Sequence, residues 1–181
     1  MKLHLVRHPQ PDIAPGICYG ATDVPVSDAA LAQVHASLCA AGLPGTLPLY
    51  TSPLQRCTLL AQRLQPSSLH VDARLAEMDF GRWEMRPWSA IARAEVDAWA
   101  ADLLHHRPGG AENVLEVARR VAAFVDGLRA DGVGEALLVC HAGTIRLLAA
   151  MRTGLPLAQA ALSAAATPHR IGYGEIALLE T

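Results

Sequence analysis

The chain begins with an apolar run, residues 3–6, that ends at Arg7-His8, and a second apolar run, residues 136–140, ends at His141. Open parallel α/β sheets bind ligands at the carboxyl ends of their strands. A guanidinium beside an imidazole at such an edge suits an anion. Two strands that end in histidine bring both imidazoles into one crevice if the strands are neighbours. We therefore predict that His8 and His141 lie within a few ångströms of each other, with nearly parallel rings.

Two other segments carry charged residues to the start or end of an element. Arg56 falls in the first turn of a helix that we predict from Ser52-Pro53, a cap residue followed by proline at the first helical position. Helix starts attract anions, and an arginine there adds a bidentate phosphate contact. Glu77 follows a brief strand at residues 69–71. With Arg7 and the two histidines, these residues would form a phosphate pocket that holds a nucleophile and a proton donor.

The elements that must position these residues alternate between strand-like and helix-like segments, which predicts an α/β fold. We expect one domain, residues 1–181, built as a three-layer α/β/α sandwich with a mostly parallel central sheet. The predicted strands are 3–6, 47–50, 69–71, 136–140 and 171–179. The predicted helices are 28–40, 54–64, 89–104, 112–130, 144–151 and a short one from 156.

Composition and charge exclude several classes of function. The chain is 51% hydrophobic and 18% charged with a net charge of −2, which argues against disorder and against a nucleic-acid partner held by general positive charge. No stretch has the length of a membrane span and the first residues lack a long apolar segment, so we expect a cytoplasmic protein without a membrane partner. A homo-oligomer stays possible.

The four cysteines are scattered and are interpreted as reduced thiols. Cys140 beside His141 could be a metal ligand or a nucleophile, but a small apolar residue at the end of a buried strand is the preferred interpretation. No spacing places two of the eight histidines on one helix face, so we expect no metal and no cofactor.

Four segments resemble, in order, the motifs of the histidine phosphatase (phosphoglycerate-mutase-like) superfamily: L-V-R-H-P, T-S-P-L-Q-R-C-T-L-L-A, R-L-A-E-M-D-F-G-R-W-E and L-V-C-H-A-G-T-I-R-L-L. The resemblance implies a cofactor-independent phosphomonoesterase that works through a phosphohistidine on His8. It implies that Glu77 donates the proton and that the phosphoryl group is bound by Arg7, Arg56, His141 and Ala142. The segment G-I-C-Y-G-A-T-D-V-P-V is similar to the α-ribazole phosphatase branch, which acts in cobalamin biosynthesis.

The chain departs from the family pattern at several positions. Pro9 stands where the family has glycine, which removes a backbone N–H from the pocket rim. A family asparagine is replaced within residues 12–14, the second motif has Ala142 after its histidine, and Met85 replaces a glycine. None of these changes removes a catalytic group.

Two alternative functions remain open. A phosphoglycerate-mutase-type phosphotransferase would favour a longer lid than the roughly thirty residues between Glu77 and the break at 108–110 provide. A non-catalytic phospho-ligand binder is kept open by Pro9.

The substrate rim is expected from two Gly/Pro-rich segments, residues 11–23 and 105–110. The rim residues that we predict are Tyr19, Gly20, His105, His106 and Arg107. Tyr19 could stack on a ring, and the cationic segment could meet extra negative charge, although such a run is more often a solvated surface. With no long lid, the pocket should admit a substrate larger than a triose phosphate.

Four nearby residues have structural interpretations. Glu84 could compete with Glu77 as the acid, but we expect it to anchor a helix start. Trp83, Trp88 and Trp99 are expected to be packing residues, although Trp83 could face a substrate ring.

Overall fold

The computed structural model describes residues 1–43, 45–168 and 170–180. Its central sheet has the strand order β3-β2-β4-β1-β5. The strands are β1 (Lys2–Arg7), β2 (Pro48–Thr51), β3 (Ser68–Val71), β4 (Glu135–Cys140) and β5 (Ile176–Glu180). Strands β1 to β4 pair in parallel, and β5 pairs antiparallel with β1. The predicted α/β fold with a mostly parallel sheet is confirmed.

The described residues also form six α-helices, two of which begin with a side-chain cap. The helices are α1 (Asp28–Ala40), α2 (Gln55–Arg63), α3 (Arg93–Ala101), α4 (Val114–Ala130), α5 (Ala142–Met151) and α6 (Leu157–Ala166). Ser27 caps α1 by accepting from the N–H of Ala30. Asn113 and Glu116 form a reciprocal capping box at the start of α4. None of these helices combines the length and the apolar composition that crossing a membrane requires.

The helices cover both faces of the sheet, because alternate residues of each strand point to opposite sides. In β4, Ala136 and Leu138 belong to the core cluster that contains residues of α4, α5 and α6. Leu137 and Val139 belong to the cluster that contains residues of α1 and α2. The result is three layers, α/β/α.

Strands β1 and β4 are neighbours in register, with Arg7 opposite Cys140. The next backbone step continues this pairing, since the N–H of His8 donates to the carbonyl of Cys140 at 3.0 Å. Both histidines therefore leave the sheet at its carboxyl edge, side by side.

Several predicted boundaries were wrong. Strand β5 begins at Ile176 because residues 171–175 turn back on β1, where the N–H of Gly174 donates to the carbonyl of Arg7 at 3.0 Å. Helix α3 is shorter than predicted because residues 88–90 form a separate 3₁₀ turn. Helix α5 begins at Ala142, directly after His141. Helix α2 begins after Leu54, so Ser52 is not its cap.

Candidate active site

His8 presents a free imidazole lone pair in a buried position. The side chain is held by Nδ1, which lies 2.7 Å from the carbonyl oxygen of Pro9. A carbonyl can only accept, so Nδ1 carries the proton and Nε2 keeps its lone pair. Burial, with a contribution from the nearby Arg56 charge, lowers the pKa of His8 to about 3. His8 is therefore neutral at physiological pH and available as a nucleophile.

His141 lies beside it, with ring centroids 5.0 Å apart. The rings are tilted by 59°, so the prediction of nearly parallel rings was wrong. They leave neighbouring strands in different ways, since His141 directly precedes α5 whereas His8 continues into a loop. Burial and the charges and ring around it lower the pKa of His141 well below its usual value.

Ser52 fixes the orientation of this second imidazole. Its Oγ lies 2.8 Å from Nε2 of His141 and accepts from the N–H of Leu54 at 3.4 Å. The serine hydroxyl can then donate to Nε2, which leaves the ring proton on Nδ1. That Nδ1 atom is buried and has no hydrogen-bond partner among the described residues.

Arg7 and Arg56 bring two guanidiniums to the same place. Arg56 is fully buried and donates to the carbonyls of Thr22 at 2.9 Å and Gly20 at 2.5 Å. Arg7 donates from Nη1 to the carbonyl of Ile171 at 2.5 Å. Within the described part of the chain, the buried Nε atoms of both arginines lack a partner. Both arginines line one cavity with His8, and His141 lies beside His8.

Two tyrosines cover the arginines, and we name this pair, Tyr19 and Tyr173, the tyrosine clasp. The Arg7 guanidinium carbon lies 3.9 Å from the ring centroid of Tyr173, and that of Arg56 lies 5.5 Å from the ring centroid of Tyr19. The two hydroxyls are 3.1 Å apart. Tyr173 also lies beside His8, with a centroid distance of 5.6 Å. Burial, reinforced by the contact with Tyr173, raises the pKa of Tyr19 above its usual value.

Glu77 reaches the same cavity from the segment after β3. Its carboxylate accepts from the N–H groups of Met78 at 3.0 Å and Gly143 at 3.1 Å. A Cβ atom at Gly143 would lie 2.3 Å from the Glu77 Oε1 atom, so a larger residue here would displace the carboxylate. The carboxylate is thus fixed against the first turn of α5.

Arg120 of α4 holds the backbone that carries Glu77. Its guanidinium donates to the carbonyls of Arg74, Ala76 and Glu77 at 2.8, 2.7 and 3.2 Å. It also pairs with Glu112, whose Oε2 accepts from the N–H of Asp79.

Glu84, the other candidate acid, has a structural environment. Its carboxylate accepts from the backbone N–H groups of Ala21, Thr22 and Phe80 at 2.8, 2.6 and 3.0 Å, and from the Thr22 hydroxyl. Burial alone would raise its pKa, but these hydrogen bonds hold the pKa below its usual value. Glu84 therefore ties the loop after β1 to Phe80, which caps the start of the 3₁₀ turn at residues 81–83.

A cavity of about 390 Å³ opens above these groups. Five of the predicted site residues and one predicted rim residue line it: Arg7, His8, Arg56, Glu77, Ala142 and Tyr19. His141 lies just beneath, fully buried in contact distance of His8.

The rest of the predicted rim does not line this cavity. Gly20 lies behind the wall, where its carbonyl accepts from Arg56 and a Cβ atom would lie 1.9 Å from the Met78 oxygen. The N–H and ring of His105 bond to Asp102. The N–H of His106 donates to the Asp102 carbonyl at 3.1 Å.

Arg107 turns away from the cavity and pairs with Glu116 at the start of α4. None of residues 105–107 lines this cavity, and their contact with the substrate stays a prediction. The side chains of His105 and Arg107 bond to Asp102, which directly follows α3, and to Glu116 of α4.

The sequence analysis missed Ser52 as a partner of His141, Tyr173 as a cover for Arg7, and Arg120 as a support for Glu77. Ser52 lies in the same motif as Arg56 and closely follows a predicted strand, so its position at the sheet edge was a usable signal. Nothing in the sequence pattern brings Tyr173 or Arg120 to the site, because both contacts span more than forty residues.

Comparison with known proteins finds one family model and several phosphatases that are similar to this chain. The model of the histidine phosphatase superfamily (branch 1) matches residues 3–169. The adenosylcobalamin/alpha-ribazole phosphatase of Salmonella typhimurium is 27% identical over 166 residues, which cover 87% of this chain and 82% of that protein. A protein named as a candidate phosphoserine phosphatase in Hydrogenobacter thermophilus is 27% identical over 164 residues, covering 86% and 80%.

Solved structures agree with the fold. The mycobacterial glucosyl-3-phosphoglycerate phosphatase superposes with a TM-score of 0.79 at 26% identity, covering 99% of this chain and 89% of that one. The alpha-ribazole phosphatase from Shigella flexneri superposes with a TM-score of 0.83 at 24% identity, covering 99% and 90%. With the family model spanning nearly the whole sequence, the chain belongs to branch 1 of the histidine phosphatase superfamily.

Proposed function

We propose that the protein hydrolyses phosphate monoesters through a phosphohistidine formed on Nε2 of His8. The protein is a phosphoric monoester hydrolase that acts on small phosphate esters. The observation that carries the assignment of roles is the set of buried, unpartnered nitrogens on Arg7, Arg56 and His141 around a neutral imidazole. Buried donors without partners are costly, and a phosphoryl group supplies the oxygens that would satisfy them.

In the first step, Nε2 of His8 attacks phosphorus in line with the ester oxygen. The N–P bond forms as the P–O bond to the alcohol breaks. Arg7, Arg56 and His141 stabilise charge on the three equatorial oxygens, and such stabilisation supplies most of the catalysis in phosphoryl transfer.

Glu77 handles the proton in both steps. As a carboxylic acid it protonates the departing alkoxide, and as a carboxylate it then takes a proton from the water that attacks phosphorus. The N–P bond breaks in this second step and returns its electron pair to Nε2. Its contacts with the N–H groups of Met78 and Gly143 hold the carboxyl group within the cavity.

The substrate that we propose is an ester larger than a triose phosphate, with α-ribazole phosphate as the leading candidate. The similarity of the segment at residues 16–26 to the α-ribazole phosphatase branch supports it, as do the names of two curated relatives. Phosphoserine is a second candidate because another relative carries that name. A mutase would instead transfer the phosphate to a bound acid.

Brief reaction with ³²P-labelled p-nitrophenyl phosphate, followed by an alkaline quench, tests the mechanism. We expect acid-labile label on wild type and neither label nor turnover with His8→Ala. Retained turnover in His8→Ala would overturn the proposal. Comparing kcat/KM for α-ribazole phosphate, phosphoserine and 3-phosphoglycerate tests the substrate, and mutase activity on 3-phosphoglycerate would contradict the hydrolase assignment.

A further inference from the structure

The cavity above His8 has two chemically different parts. Arg7, Arg56 and Glu77 provide charged groups for the phosphoryl end and the ester oxygen. Most of the remaining lining is apolar and includes Phe80, Trp88, Trp99, Val114, Val117 and Leu147. A phosphate ester that binds His8 must place its alcohol part within this apolar remainder, because the arginines occupy the other side.

The aromatic wall of the cavity is built from rings that support one another. The Trp88 and Trp99 rings are nearly parallel, at 10° with centroids 6.3 Å apart. Phe80 meets each of them edge-on, with both centroid distances 6.0 Å. Trp83 is fully buried behind them and donates from Nε1 to Glu95 at 2.8 Å. This packing holds the wall in place before any ligand arrives.

The backbone also fixes the position of Trp88. Its N–H donates to the carbonyl of Gly16 at 2.9 Å, and the N–H of Cys18 donates to the carbonyl of Arg86 at 2.9 Å. The Trp88 side chain nevertheless remains 38% exposed. A rigidly held indole that lines a cavity and keeps an open surface is suited to stacking on a planar ring.

The cavity offers limited attraction to a second anionic group. Besides Arg7 and Arg56, its lining among the described residues includes one further cation, Arg146. The Arg146 Nη2 atom donates to the carbonyls of Ala164, Ala165 and Thr167 at the end of α6. This guanidinium is thus tied to the negative end of a helix.

We propose that Trp88 and Trp99 form a ring-binding subsite for the alcohol part of the substrate. The substrate class is then a phosphate monoester whose alcohol carries an uncharged planar aromatic or heteroaromatic ring, separated from the ester oxygen by a short linker. This inference rests on the proposed function, because it assumes that the phosphoryl group lies at His8.

Two esters whose primary alkoxide leaving groups are nearly equal in basicity isolate the effect of the ring: 3-phenylpropyl phosphate and n-propyl phosphate. We expect kcat/KM to be about tenfold higher for the phenyl ester, the size of effect that aromatic stacking produces. Trp88→Ala should remove most of this advantage, because it lowers kcat/KM much more for the phenyl ester than for n-propyl phosphate. Trp88→Phe should retain part of it. Leu178→Ala, an exposed apolar truncation on β5, is the control and should change neither rate.

Equal rates for the two esters, or an equal loss for both in Trp88→Ala, would overturn the ring subsite while the phosphatase assignment stands. Absence of hydrolysis and of His8 labelling would instead contradict the proposed function. In that case, the binding of the two corresponding phosphonates, which are not hydrolysed, is measured by calorimetry to test the subsite. Tighter binding of 3-phenylpropylphosphonate to wild type than to Trp88→Ala supports the subsite, and equal binding overturns it.

Discussion

The fully buried hydroxyl of Ser52 links the end of β2 to the imidazole at the end of β4. A neutral histidine can carry its proton on either nitrogen. In His141, Nδ1 is the nitrogen without a partner, so it can donate a hydrogen bond to the phosphoryl group only when the proton is on Nδ1. Ser52 thus acts on the reaction through another residue. Its role is to position His141. Loss of the hydroxyl should therefore weaken stabilisation of the phosphoryl-transfer transition state more than the binding of substrate.

Ser52→Ala should lower kcat about tenfold with little change in KM, the scale expected for one lost hydrogen bond. Steady-state kinetics with p-nitrophenyl phosphate measures both constants. Ser27→Ala, which removes the cap of α1, is the control and should lower stability without changing kcat. A fall in apparent kcat that is fully accounted for by a smaller fraction of folded protein would show that Ser52 is merely structural.

Glu77→Gln removes the proton donor and keeps the shape of the side chain. Esters with poor leaving groups need that proton, whereas p-nitrophenolate leaves without it. We therefore expect a much larger loss of kcat/KM for alkyl phosphates than for p-nitrophenyl phosphate. Equal losses for both substrates would contradict an acid role for Glu77.

At the scale of elements, helix α4 holds Glu77 in place through the backbone of the segment that carries it. Arg120 donates to the carbonyls of Arg74, Ala76 and Glu77, and Glu112 accepts from the N–H of Asp79. The position of the acid therefore depends on the docking of α4 against the segment after β3.

Arg120→Met keeps much of the side-chain volume and removes these bonds. We expect the free energy of unfolding to fall by about 2 kcal/mol, since several carbonyls lose a charged donor. Loss of activity should be greater for alkyl phosphates, as in Glu77→Gln. Arg129→Met on the same helix, whose pair with Asp126 is exposed, should change stability by less than about 0.5 kcal/mol. Denaturant unfolding and the two-substrate assay check both expectations.

The elements also show what sequence could predict. Apolar runs that end in Arg7-His8 and His141 predicted two strand ends at one sheet edge, because side-chain pattern and strand direction are local properties. The ring tilt between the histidines and the true start of β5 were missed, since both depend on how residues 171–175 and α5 leave the sheet. Residues 105–107 do not line the cavity, because charge on a loop does not reveal which neighbour, here Asp102 and Glu116, will bind it.

At the scale of the whole molecule, the burial of two neutral imidazoles makes the free energy of unfolding depend on pH. The folded pKa of His8 is about 3, below the ordinary value of 6.5, and that of His141 is lowered in the same direction. The unfolded chain therefore binds more protons than the folded one below about pH 6.5. The stability associated with these neutral groups is fully present above that pH and is lost as the pH falls toward the folded values.

We expect the free energy of unfolding to fall by up to about 1.4 kcal/mol per pH unit for each histidine as the pH drops from 6 to 4. Carboxylates also contribute in this range, so the comparison is between wild type and His8→Asn measured in parallel. The variant should show a shallower dependence on pH. An identical slope in both proteins would contradict the neutral, buried state of His8.

We expect the tyrosine clasp to slow the release of phosphate from the site. His8 is 3% exposed and Arg56 is fully buried, while the touching hydroxyls of Tyr19 and Tyr173 span the space above the arginines. Inorganic phosphate that remains after hydrolysis lies against the guanidiniums that these rings cover, so parting of the rings would give it a second way out beside the cavity of about 390 Å³. We expect Tyr19→Phe and Tyr173→Phe each to speed phosphate dissociation in stopped-flow measurements. The double variant should be no faster than either single one, because both changes break the same contact, and additive effects would show that each tyrosine acts alone.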